Sequence, residues 1–348
     1  MNNYDAMNGA PVQVQNDPQL RRMLEKELRK QERRAIRKDM SLMSWAGCAM
    51  FLCVNIVAIV LQVFCMVVAP GDLATGGTTI DMYYLLQCAA SAVAMPLAFW
   101  IFAVAKGMDF SECLRFEKAG FGRCVLFVGF SVMVCMLANF PAAFISDFVT
   151  DSGFSDVTQS IPLPDTTLSS VASVVAVAVL PPLVEEFAFR GIVLSHLRKH
   201  GDLLAVLGSA LVFAFAHGNV VQIPFAFFAG LVLGAAYVKT NNLLVPIVIH
   251  AINNGFSVLV DLLFIWVGEE IAATVSDWGF LLLITFGVVC AIIMITMILR
   301  GSDIFAFERP EDTVLSPMGR FWALVSNPGF LVLFGYTLLS CALLMVAA

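Results

Sequence analysis

Residues 168–197, LSSVASVVAVAVLPPLVEEFAFRGIVLSHL, form an apolar run that still carries Glu185, Glu186 and Arg190 near its middle. About 20 residues rising 1.5 Å each cross the hydrocarbon core of a bilayer as a helix. The run therefore reads as a membrane span that holds charge where charge is costly. The remainder of the chain agrees: of its 348 residues 59% are apolar and 13% charged, with a mean hydropathy of +0.86. A soluble domain averages about 45–50% and 25%, so an ordinary soluble globular protein is excluded.

Working outward, apolar stretches predict spans at 43–69, 82–105, 124–146, 168–197, 203–217, 222–238, 243–267, 278–299 and 328–347. The expected fold class is all-α, a polytopic transmembrane helical bundle of eight or nine spans with an intramembrane polar cavity. The fifth and sixth spans are short and are separated only by Gly218 to Val221, which is why the count stays at eight or nine. Four parts follow: a basic tail at 1–42, N-terminal helices at 43–167, a core at 168–267 that holds the charged span, and C-terminal helices at 268–348. Within the tail, 1–17 reads as disordered. Residues 18–38 interleave nine Lys and Arg with apolar residues at helical spacing, either as a solvated helix or as one lying on anionic lipid. No cleavable signal peptide is expected at the start.

Basic residues set the expected orientation, because cytoplasmic loops retain Lys and Arg. With the tail inside, the loops at 106–123, 198–202, 239–242 and 300–320 fall on the cytoplasmic side with their basic residues. The loops at 70–81, 147–167, 218–221 and 268–277 contain none. The protein is thus expected in the plasma membrane with its N-terminus cytoplasmic, the bilayer as its partner and no nucleic acid. Nine cysteines, with no CxxC and no pair on the outer side, indicate neither a disulfide framework nor a thiolate metal site.

Ionisable residues inside spans cost at least about 2.5–3.5 kcal/mol each on insertion scales, so they mark function by default. Besides Glu185, Glu186 and Arg190, the chain places His217 at the end of the fifth span and His250 and Asn254 in the seventh. Residues four apart share a helix face. Glu186 can therefore neutralise Arg190, which leaves Glu185 on another face without a local partner, a setting that suits a general base. His250 and Asn254 can look into one cavity, and Phe213 packs beneath His217. Depths counted from the cytoplasmic ends, about 18 Å for Glu185, 21 Å for His217 and 10 Å for His250, are compatible with one site. His196 and His200 beside Arg198 and Lys199 read as solvated.

Three stretches then carry a resemblance. Glu185-Glu186-x-x-x-Arg190, Phe213-x-x-x-His217 and His250-x-x-x-Asn254 resemble, in order and spacing, the EExxxR, FxxxH and HxxxN motifs of the CPBP family of intramembrane proteases, the CAAX protease and bacteriocin-processing or ABI family. The intervening Phe228-Ala229-Gly230 to Asn242 and Pro246 also read like that family, and the likeness covers about 181–256. It implies an intramembrane endopeptidase acting on a membrane-associated peptide or protein. By similarity Glu185 activates a water held by His217, His250 and Asn254 stabilise the oxyanion, and Glu186 and Arg190 support the helix. No cofactor is expected. Zinc on the histidines and glutamates is the less favoured alternative, since Asn254 is a poor zinc ligand and a good oxyanion donor. The competing functions are a non-catalytic bacteriocin-immunity or binding protein, and a transporter.

Overall fold

The computed structural model describes residues 17–68, 80–156 and 163–347. Asp17 and Pro18 start the first helix for a local reason. The Asp17 carboxylate accepts from the Gln19 and Leu20 amides at 2.8 and 3.3 Å, and Pro18 occupies the first turn, where its missing N–H costs nothing. From there α1 runs unbroken over Pro18–Val68, so the basic segment and the first expected span are one helix. The segment is neither free in solvent nor laid on lipid along its whole surface, because Leu28, Ile36 and Met40 are buried. Glu32 accepts from the Val314 and Leu315 amides at 2.9 and 2.7 Å and lies 3.2 Å from Arg320. The residues expected to be disordered, up to Asn16, and most of the expected outer loop at 70–81 lie outside the described residues.

The following helices are α2 (Ile80–Ala105), α3 (Phe121–Asp151), a composite α4 (Thr167–His200), α5 (Asp202–Phe215), α6 (Gln222–Thr240), α7 (Leu244–Trp266), α8 (Glu269–Leu299), α9 (Pro317–Val325) and α10 (Pro328–Leu344). Among the described residues seven helices are long and apolar enough to cross a membrane, and eight if α9 and α10, bent by 63°, count as one. Eight lies within the expected eight or nine, and the span expected at 203–217 is corrected at α5. Its run of apolar residues is too short to cross alone, and it forms an antiparallel hairpin with α6. Gly230 allows that close approach, since a Cβ there would come within 2.9 Å of the Ala210 Cα. The expected all-α class stands, with a short strand pairing added at one end. Phe154–Asp156 (β1) pairs antiparallel with Met345–Ala347 (β2), which ties the end of α3 to the chain's C-terminal residues.

Among the described residues the apolar core falls into two large clusters and a small third. One gathers α1, α2, α5 and the second half of α4, another gathers α3, α6, α7 and α8, and Tyr84 of α2 with Ala172 and Ala176 of α4 forms the third. Between the two large clusters α4 is irregular. Val174–Val179 and Phe187–Leu194 are π-helical, flanking an α-helical turn at Leu180–Glu186. Pro181 and Pro182 explain the first break: neither has an N–H to return to the preceding turn, and the Leu180 amide reaches back five residues to the Val175 carbonyl.

His196 and His200 are not solvated as expected. Both are largely buried, and they converge on Asp39 of α1, at 3.1 and 2.8 Å, with Lys199 at 3.0 Å. Burial works to raise the Asp39 carboxyl, and the hydrogen bonds from His196, His200 and Lys199 outweigh it and hold the group well below the usual carboxylate range. A depressed native pKa means that the contribution is present above the unfolded value near 4 and is lost as pH falls below it. Asp39→Ala is expected to cost about 2–4 kcal/mol at pH 7, measured by thermal unfolding in detergent, with the difference from wild type closing on acidification below about pH 4.

Candidate functional site

Glu185 and Glu186 sit at the C-terminal end of the α-helical turn between the two π segments of α4, so their side chains diverge. Glu186 points into the protein, where its Oε1 accepts from Arg190 Nη1 at 3.0 Å, and both side chains are fully buried. The spacing of four that suggested this pair survives the passage into the π segment. Arg190 is further held by the Gly230 carbonyl, which accepts from Nη2 at 3.3 Å, and by the Phe213 ring, whose centroid lies 4.5 Å from the guanidinium carbon. In a low-dielectric interior such cation–π contact and charge-assisted bonding carry more weight than at a surface.

Glu186 has a second partner that spacing alone did not reveal. His250 of α7 places Nδ1 2.9 Å from the same Oε1, and an ionised carboxylate there makes Nδ1 the donor. Its other nitrogen, Nε2, lies 3.8 Å from Glu185 Oε2. That distance is beyond a hydrogen bond, so Glu185 and the outer edge of His250 face one another without satisfying one another. Glu186 is therefore an orienting group for His250 as well as a counterion for Arg190.

His217 follows the end of α5. Its Nδ1–H donates to the Phe213 carbonyl at 2.8 Å, which leaves Nε2 to accept, and its ring stands edge-on to Phe213 at 4.8 Å. Asn254 is one turn beyond His250. Its Nδ2 donates to the Val177 carbonyl at 3.0 Å and its Oδ1 accepts from Asn253 at 3.2 Å. The Val177 carbonyl is available because Pro181, four residues on, has no N–H to offer it. One N–H of Asn254 remains.

Glu185, His217, His250 and Asn254 all line a cavity of about 520 Å³. Glu186 and Arg190 stand behind its wall. Asn139, Gln222 and Asp261 line it too. Of these Asp261 was legible in the sequence, as an ionisable residue two turns past Asn254 on the same helix face; Asn139 and Gln222 carried no such signal. Zinc does not fit the arrangement: among the described residues no group of three His, Cys, Asp or Glu side chains is placed to hold a metal ion, and Glu186 is already engaged by Arg190 and His250.

Residues 167–256 match the family described as type II CAAX prenyl endopeptidase, Rce1-like. The membrane-embedded CAAX protease MroQ of Staphylococcus aureus (strain USA300) is 38% identical over 94 residues, an aligned part that makes up 25% of this chain and 38% of that protein. No solved structure matches.

Removing one partner from a buried ion pair leaves an uncompensated charge, at a cost of about 3–5 kcal/mol. Arg190→Leu is expected to lose that much stability. Because both changes remove the same contact, the double variant Glu186→Gln/Arg190→Leu should cost at least about 1 kcal/mol less than the sum of the single variants, a coupling that thermal unfolding of all four proteins measures.

Proposed function

We propose that the chain, whose residues 167–256 match the Rce1-like type II CAAX prenyl endopeptidase family, is an intramembrane endopeptidase that cleaves a membrane-associated protein or peptide with a glutamate-activated water. The observation that carries this reading is the opposition of Glu185 and His250 Nε2 across the cavity, each lacking a hydrogen bond to the other. A water between Glu185 and the accepting Nε2 of His217 loses a proton to Glu185 as its oxygen attacks the substrate carbonyl carbon. The oxyanion that forms meets two donors on α7, His250 Nε2–H and the remaining N–H of Asn254. Glu185 then passes its proton to the departing amide nitrogen, and the C–N bond breaks. Water's proton, the new C–O bond and the leaving amine are thereby accounted for.

Glu186 supports the role of His250 by fixing its ring through Nδ1 at 2.9 Å, which leaves Nε2 on the cavity side. Preorganised donors of this kind are worth about 10²–10³ in kcat each.

The orientation is supported by where the basic loops meet. Lys118, Arg123, Arg198 and Lys239 border one cleft with Asp303 and Glu308, and Arg320 lies beside Glu32 at the same end. We take this end as cytoplasmic, with the protein in the plasma membrane.

Glu185→Gln is expected to lower peptide hydrolysis by about 10²–10⁴-fold, and Asn254→Ala by about 10²–10³-fold, without loss of membrane abundance. Newly formed peptide termini, compared by mass spectrometry in cells carrying wild type or Glu185→Gln at matched abundance, decide the matter. Termini that depend on Glu185 are the expected outcome. Identical profiles, with any phenotype retained in the variant, would overturn the proposal in favour of a non-catalytic binding or immunity role.

A further inference from the structure

The cavity does not end at the reacting groups. His250, Asn254, Ser257 and Asp261 follow one another at intervals of four, three and four residues on α7, which keeps them on one face, and all four line the same cavity. Exposure rises along that row. His250 is buried, whereas Ser257 and Asp261 are exposed, as are Asn139 and Gln222 on the neighbouring helices. The mouth therefore lies at the Asp261 end, away from the end where the basic loops gather. No Lys or Arg lines the cavity, and among the described residues Asp261 makes no ion pair. At the same end of the bundle the C-terminal part of α3 and the first turn of α8 carry Asp147, Asp151, Glu269 and Glu270 and no basic residue.

We propose that Asp261 is a specificity residue that receives a cationic side chain or a free amino group of the substrate, which enters from the end opposite the basic loops. The proposal rests on the peptidase reading above and specifies its substrate class. Its register follows from geometry. Two helical turns separate Asn254 from Asp261, about 10 Å along the axis, and an extended peptide covers that distance in about three residues. The charged substrate group should thus stand about two to four residues from the cleaved bond. A neutral or acidic group there would leave the carboxylate facing no counter-charge in a partly desolvated mouth, whereas a cation would pair with it.

The test uses the full-length protein in liposomes and a mixed library of synthetic peptides, each with an apolar anchor and randomised residues, with cut sites read by mass spectrometry. Sites cut by wild type and spared by Glu185→Gln are expected to show Lys or Arg enriched roughly three- to tenfold at one position two to four residues from the cut. Asp261→Asn should erase that enrichment, Asp261→Glu should keep it, and Asp261→Lys should replace it with Asp or Glu. Glu185-dependent cutting with no positional charge preference, or with a preference that Asp261→Asn leaves in place, would overturn this inference and leave the peptidase reading standing. Loss of all cutting in both Asp261→Asn and Asp261→Glu would make the residue structural and overturn it equally. If wild type and Glu185→Gln cut alike, the peptidase reading fails and the specificity role with it.

Discussion

A single carboxylate oxygen, Glu186 Oε1, joins α4 to α7. It accepts from Arg190 at 3.0 Å and from His250 at 2.9 Å in a fully buried setting. Isolated charges in such a place are prohibitively expensive, so the three groups are stable only together. That mutual dependence has a geometric consequence. Wherever Glu186 and Arg190 lock α4, the imidazole of His250 must follow, and its Nε2 is thereby aimed at Glu185. Phe213 extends the same arrangement to α5, with its ring against Arg190 and its carbonyl holding His217.

Irregular helix makes this convergence work. A regular helix would consume its own carbonyls, but Pro181 frees Val177 and Asn254 takes up the vacancy. The π segments on either side widen the turn and let adjacent glutamates serve different neighbours. Departures of this kind are frequent at functional sites because they expose backbone groups that a uniform helix hides. In a membrane they are tolerated only where protein or a water-filled space satisfies what is released. Here Asn254 and the cavity fill those two roles.

At the opposite end the structure is held by another shared carboxylate. Asp39 gathers His196, His200 and Lys199, and Glu32 receives two amides from the segment leading into α9. The long first helix is thus clamped to the C-terminal end of α4 and to the C-terminal helices. Its polar half, which looks superfluous as a membrane anchor, is a strut for the site-bearing helix.

Much of this was readable in residue order. Hydropathy exposes spans because a bilayer demands about 20 apolar residues at a time, and charge inside them stands out for the same reason. The four-residue spacing of Glu186 and Arg190, and of His250 and Asn254, is a local helical relation, and the structure keeps both on shared faces. Other features depended on which helices touch. Glu186 and His250 are 64 residues apart, as their contact spans, and no periodicity links them. His196 and His200 look solvated beside Arg198 and Lys199 until α1 brings Asp39 to them. The α5 segment is apolar enough to resemble a span, yet it stops short because the chain turns at Gly218, with φ +62°, and Gly230 lets α6 fold back on it. Local pattern thus determined the membrane setting and the polar residues within it, since both follow from solvent cost and helix pitch. Only tertiary packing decided which of those residues share a proton, a carbonyl or a cavity, since those partners come from helices that the chain order leaves far apart.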